Sequence, residues 1–295
     1  MSQKSRTSIL PYVLLSPAVL ATVIVVFYPM LQALITSLYN NILWKPRAVK
    51  FIGLDNYIAI WHDPVFWASL GRTAIWIGLT VPLQLLLGLV TALLLNQQFR
   101  WCGLARSLIL IPWALPSVVI GLMWSWIYNP QVGLLNDLML RLGLLQTAMP
   151  WLANPDTSLY AIIAALVWQG FPFFAIMILA GLQTIPHSLY EAADIDGATD
   201  WQQFWHITMP ALKSVLVTAV MLRIIWVANS IDVIYVMTGG GPEGASELMA
   251  TYMYRTVFSS FQLGYGSTIA AAMFLVVTVI AAVGLRATRR FETEV

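Results

Sequence analysis

Charge is what this sequence has least of. Asp, Glu, Lys and Arg make up only 9% of its 295 residues, against about 25% in an ordinary soluble domain. The residues AVILMFWYC reach 59% without counting glycine, and mean hydropathy is +0.78. A water-soluble fold cannot bury that much apolar surface and keep a polar exterior. Cysteine is nearly absent: Cys102 stands alone, which excludes an internal disulfide and any multi-cysteine metal site. The three histidines, His62, His187 and His206, are far apart, with no partner at metal-ligand spacing. The net charge of +2 is too small, and the basic residues too scattered, for a nucleic-acid surface. H-E-x-x-H and G-x-S-x-G are both missing, so no catalytic constellation can be named.

What the chain has is long apolar runs. About 20 apolar residues cross the hydrocarbon core as a helix. Five stretches free of charged residues, with Ser214 to Met237, apolar but for Arg223 and Asp232, predict six spans, at about 11–37, 71–95, 105–128, 158–182, 214–237 and 267–287. The fold class expected is an all-α integral membrane protein, with residues 1–295 forming one transmembrane domain. The first run is too long for the core of a cleavable signal peptide, so it reads as an uncleaved helix. With both termini inside, the inner segments carry Lys4, Arg6, Arg100, Arg106, Lys213, Arg286, Arg289 and Arg290. This is a moderate excess of bases over the outer segments, and it favours cytoplasmic termini. The outer segments hold turn signals such as "YNPQVG" and "ANPDTS". Many of the 13 tryptophans fit an interfacial belt. Pro17, Pro29, Pro82, Pro112, Pro116 and Pro172 predict kinks.

Three stretches could carry function. "GGGPEGAS" (239–246) fits the phosphate-loop pattern at Gly239, Gly244 and Ser246, but Ala245 stands where its lysine belongs. It reads as a glycine turn with φ > 0. The fifth span holds Arg223 and Asp232, and intramembrane charge usually faces a bundle interior or a water-filled cavity. On a continuous helix these two would lie nearly opposite in azimuth and would not pair, whereas Asn229 and Asp232 would share a face. In the fourth span, Trp168 and Gln169 lie beside Pro172, an aromatic face and an amide of the kind that bind sugar rings and hydroxyls. These five residues are the expected substrate pathway; the alternative reading is that they serve helix packing alone.

The third stretch is "SLYEAADIDGATDWQQFWHITMPALK" (188–213), acidic and amphipathic between two apolar runs. Leu189, Ala192, Ala193 and Ile195 give a short, mostly apolar surface. Gly197 can end that turn in a left-handed conformation. "TDWQ" matches a capping box, with Thr199 as cap and Gln202 reaching back. Trp201, Phe204 and Trp205 follow at helical spacing, and Pro210 is expected to close the segment before the fifth span. A surface helix on anionic lipid favours Lys and Arg; this one has acids, so a protein groove suits it better.

Its spacing resembles the EAA loop of bacterial binding-protein-dependent ABC importer permeases. Glu191, Ala192 and Ala193 are followed at the family's spacings by Gly197, Ile207 and Pro210. Met209 departs from the family's leucine, conservatively in size. Asp196, Gly197 and Ala198 with Phe204 look like the sugar-importer version. "TGGGP" (238–242) and "FIGLDNY" (51–57) are similar to that group's other signatures. The resemblance runs from about residue 11 to 290 and implies a type I importer permease fold of six transmembrane helices with a coupling helix at about 184–212. It implies partners too: a second permease subunit, a dimer of ATP-binding subunits, an extracytoplasmic solute-binding protein and a carbohydrate substrate, in the lipid of the bacterial inner membrane. ATP and Mg would belong to the ATPase, with no cofactor bound by this chain. A stand-alone secondary transporter, coupling ions through Arg223 and Asp232, is the rival reading. A membrane-embedded enzyme is a further one.

Overall fold

The computed structural model describes residues 10–97 and 99–292. Lys4 and Arg6, part of the orientation argument, lie outside them. The chain divides into two compact units, residues 1–64 with 253–274 and residues 65–252 with 275–295.

In the first unit, α1 (Leu10–Thr22) and α2 (Tyr28–Thr36) are joined through a π-helical turn, Val23–Phe27. The turn has a local cause. Pro29 has no N–H to give, and its ring crowds the carbonyl four residues earlier. The wider turn, closed by Tyr28 N–H donating to the Val23 carbonyl, accommodates both. A two-residue hairpin follows: β1 (Tyr39–Asn40) pairs antiparallel with β2 (Lys50–Phe51), Tyr39 opposite Phe51. Gly53 turns the chain at φ +59 into α3 (Asp55–Trp61). Asn56 of α3 donates to the carbonyls of Ser37 and Tyr39 at 2.8 and 3.1 Å. Tyr265, near the start of α15 (Leu263–Glu292), donates to Asp63 at 2.6 Å.

The second unit contains the long helices that build the site. These are α4 (Pro64–Asn96), α5 (Cys102–Ile109), α6 (Ile111–Ala114), α7 (Ser117–Ile127), α8 (Leu134–Arg141), α9 (Ser158–Leu182), α10 (His187–Ile195), α11 (Asp200–Gln203), α12 (Met209–Ala228) and α13 (Asp232–Met237). A short helix α14 (Met249–Tyr254) precedes α15. Helix α9 is the centre. Of its most apolar stretch 72% is buried, against 28% for α4 and for the run ending in α12. Glycines let the neighbours close on it: a Cβ on Gly181 would lie 2.7 Å from Leu212 of α12, and one on Gly88 of α4 would strike Phe174 of α9. Gly121 does the same between α7 and α13, where an added Cβ would meet Val236 at 2.9 Å.

Five described helical runs are long and apolar enough to cross a membrane, or six if one bent pair counts as a span. That pair corrects the third predicted span. Residues 105–128 do not form one helix: α5–α6 and α7 meet at 94°, with Pro116 at the corner. Proline disfavours the helical conformation for the residue before it, and Leu115 is extended (φ −76, ψ 139). By contrast α4 and α9 run uninterrupted past Pro82 and Pro172. The fifth span, expected at 214–237, also breaks, between Ala228 and Asp232. It starts earlier than expected as well. Pro210 closes nothing: one helical run extends from Asp200 to Ala228. A π turn at Phe204–Thr208, closed by Met209 N–H donating to the Phe204 carbonyl, precedes Pro210 in the same register as the turn before Pro29.

Candidate functional site: a coupling segment and a polar cavity

The segment between α9 and α12 is built from local signals. Helix α10 ends in a Schellman motif. Gly197 takes φ +73, its N–H donates to Asp194 O at 3.1 Å, and Ala198 N–H donates to Ala193 O at 2.9 Å. Two residues later the capping box opens α11. Thr199 N–H donates to Gln202 Oε1 at 2.8 Å and Gln202 N–H to Thr199 Oγ1 at 3.4 Å. The two helices are pinned to each other: Gln203 donates to Asp194 at 2.6 Å, and the hydroxyls of Tyr190 and Thr208 lie 2.9 Å apart. Asp194 and Tyr190 are thus engaged within the segment itself. Glu191, Ala192, Asp196, Gly197 and Pro210 are exposed, while Ala193, Phe204 and Ile207 are half-buried.

The exposed surface has an unusual mix. Ile195 is 87% exposed and Trp201 69%, with Leu189 and Trp205 about half exposed. Phe204 stacks on Trp201 at 6.0 Å, and Trp205 stands edge-on to both. A notch of about 340 Å³ between the helices is lined by Ala193, Asp196, Gly197, Gln202, His206 and Ile207. Large apolar side chains held beside solvent-exposed carboxylates mark a surface for a protein partner.

The second feature is a cavity of about 480 Å³ among α6, α7, α9 and α12, extending to the break before α13. Its volume lies in the range of small-molecule sites, about 300–1,000 Å³. Gln169, Arg223, Asn229, Ser230, Asp232 and Ser117 supply polar groups, and Trp113 and Trp226 supply ring faces. Phe173 joins these rings, its centroid 6.3 Å from Trp113 and 5.1 Å from Trp226. Asn229 caps the end of α12 and donates to Ile225 O at 2.8 Å. Asp232 opens α13 and is exposed. Gln169 reaches Ser117 Oγ and Leu115 O at 3.4 and 3.5 Å.

Arg223 forms the floor. It is only 7% exposed, its Nε donates to Gln84 Oε1 at 2.6 Å, and Gln84 in turn donates to Leu166 O at 2.7 Å. Asn229 and Asp232 share the cavity, though not through the one helical face expected, because the helix breaks between them. The same break brings Arg223 and Asp232 to one cavity rather than opposite sides. They still do not pair with each other; Arg223 is held by Gln84 instead.

Trp168 is elsewhere. It lines an apolar groove with Leu79, Leu83, Leu87 and Phe171, and its ring meets Trp124 edge-on at 5.9 Å. Gln84, Gly170, Trp113 and Trp226 went unnoticed in the sequence. The amide at 84, deep inside an apolar run, was the available signal, since a membrane amide must find a partner.

The glycine-rich stretch is a self-contained turn. Gly239, Gly240 and Gly244 take φ +62, +95 and +75. Thr238 and Ser246 share a hydrogen bond of 2.7 Å, and Ser246 donates to Gly241 O at 2.6 Å. Its hydroxyls are therefore occupied by the loop itself. Among the described residues, no group of three or more His, Cys, Asp or Glu could hold a metal ion.

Residues 84–294 match the family model described as the binding-protein-dependent transport system inner membrane component. The chain is 39% identical to the sulfoquinovosyl glycerol transport system permease protein SmoG of Agrobacterium fabrum over 281 residues, 95% of this chain and 91% of that one. It is 36% identical to the trehalose/maltose transport system permease protein MalF of Thermococcus litoralis, over 93% and 92% of the two chains. A solved bacterial ABC transporter involved in import of the acidic polysaccharide alginate superposes with a TM-score of 0.82 at 21% identity, over 95% of each chain. The helical architecture, with its coupling segment, is thus the type I ABC importer permease fold. The chain belongs to the inner membrane component family of binding-protein-dependent transport systems.

Proposed function

We propose that this chain is the membrane-spanning subunit of an ATP-driven importer that moves a carbohydrate from an extracytoplasmic binding protein to the cytoplasm by alternating access. The observation that carries the reading is the rigid α10–α11 segment with its exposed Ile195, Trp201 and Glu191. It seats in a cleft of one ATP-binding subunit and follows closure of the ATPase dimer. Glu191, Ala192, Ala193, Asp196, Gly197, Phe204, Ile207 and Pro210 form or support this contact. ATP and Mg belong to the partner, so the chain itself is not an enzyme. A second permease subunit completes the path through the inner membrane, with both termini of this chain in the cytoplasm.

The cavity supports a carbohydrate. Indole faces at Trp113 and Trp226 stack on sugar rings, and Gln169, Asn229, Ser230 and Asp232 offer donors and acceptors for hydroxyls. The names of the relatives, a sulfoquinovosyl glycerol and a trehalose/maltose permease protein, point to the same class.

Affinity purification of the tagged chain from its native membrane tests the reading. Stable recovery of an ATP-binding subunit and a permease partner is the expected result. A chain recovered alone that accumulates substrate on a proton gradient would overturn it in favour of a secondary transporter.

A further inference from the structure

Arg223 is placed for a task other than touching sugar. Its guanidinium is buried, and the acceptor that holds its Nε is the neutral amide of Gln84 rather than a carboxylate. Gln84 is itself fully buried and is tied to the backbone of α9 at Leu166. Gly170, one turn further along α9, has no side chain for a reason visible in the geometry. A Cβ there would strike Nη2 of Arg223 and Nε2 of Gln84, and would lie 2.7 Å from the guanidinium carbon. Three helices, α4, α9 and α12, therefore meet at one charge-assisted clasp.

The clasp sits on an unusual lever. Arg223 belongs to the unbroken helical run Asp200–Ala228, whose first turns are the capped end of the coupling segment. At 1.5 Å per residue it lies about 35 Å from Asp200. The cavity residues Ile225, Trp226 and Val227 follow within four positions of it. Val227 O accepts from the fully buried Trp76 of α4 at 3.0 Å, a second tie to the same helix. Opening the clasp would leave a guanidinium unsatisfied in a low-dielectric interior, which is costly, so the clasp holds while the lever moves.

Building on the importer reading above, we infer that the Arg223–Gln84–Gly170 clasp is a permanent rivet. It makes α4, α9 and α12 one rigid body, so that displacement of the coupling segment reaches the cavity wall instead of dissipating in helix slippage. Arg223 is then a positioning residue.

The test uses the full complex, with ATPase and binding protein, in sealed vesicles, reading sugar imported per ATP hydrolysed. Gln84→Leu and Gly170→Ala each lower that ratio at least tenfold while ATP hydrolysis continues, and the pair together lowers it no further than the worse single change. Gln84→Glu keeps an acceptor for Arg223 but has no N–H to give Leu166 O, so it retains the tie of α4 to α12 and cuts the tie of α4 to α9; the ratio falls, though less than in Gln84→Leu. A wild-type ratio in any of the three variants overturns the rivet. If Gln84→Leu and Gly170→Ala fail to assemble, Gln84→Glu decides alone: a lowered ratio with ATP hydrolysis retained supports the rivet, and a wild-type ratio overturns it. A wild-type chain that binds no ATPase instead sinks the importer reading and is seen before any variant is made.

Discussion

Gly197 gives the sharpest quantitative handle on the coupling segment. Its φ of +73 lies in the left-handed region, and an added Cβ would meet nothing within 4 Å. Substitution therefore carries no clash, only the backbone penalty of a side chain in that region, about 1–2 kcal/mol. The Schellman bonds at 2.9 and 3.1 Å depend on that conformation. With Ala, the free segment relaxes away from the turn, and docking must restore it. At about 1.4 kcal/mol per tenfold, Gly197→Ala should weaken binding of the purified ATPase subunit roughly 5- to 30-fold. Gly197→Asp should also weaken binding, because its Cβ is penalised in that region and its new charge extends an acidic face. Asn tolerates the left-handed region better, so Gly197→Asn should lose appreciably less. Titration of the ATPase subunit against the permease in nanodiscs reads all three. Wild-type affinity for Gly197→Ala would refute the argument. So would equal damage from Asn and Ala, which would assign the effect to bulk rather than backbone.

Three further outcomes follow from the geometry. Asn229→Ala and Asp232→Ala should reduce sugar uptake while ATPase attachment stays intact; normal uptake by both would remove them from the pathway. Trp201→Ala should weaken ATPase binding about tenfold or more, as truncating an exposed aromatic anchor does, without changing the thermal stability of the permease alone; a large drop in that stability would make Trp201 a packing residue. Gly88→Ala should destabilise the chain by about 1–3 kcal/mol through its collision with Phe174. Gly71→Ala, which meets open space, should be near neutral in the same thermal-unfolding assay.

The coupling segment could be read from sequence because its causes are local. A left-handed glycine and a capping box act within a few residues of each other, and both are present at Gly197 and at Thr199 with Gln202. The cavity was only half legible. Arg223 and Asp232 announced themselves as charges in an apolar run, but the break at 229–231 contains neither glycine nor proline. Asn229 and Asp232 therefore lack the continuous helix on which a shared face depends. Gln84 is 139 positions from Arg223, a separation that local pattern cannot bridge. Trp168 failed differently. Helix α9 is apolar and buried on nearly every side, so periodicity could not say which neighbour Trp168 faces. Pro116 was readable as a kink, but a 94° corner depends on how α7 packs on α13 around Gly121.

The central claim is that this chain moves a carbohydrate inward using ATP hydrolysed by a docked partner. Sealed vesicles containing this chain, its permease partner and the ATPase subunits measure it directly, with labelled sugar and binding protein on one side and ATP on the other. An ionophore collapses any ion gradient. Uptake that persists under the ionophore and stops when ATP or binding protein is withheld is the result the account predicts. Uptake that ends with the ion gradient and ignores ATP would contradict it.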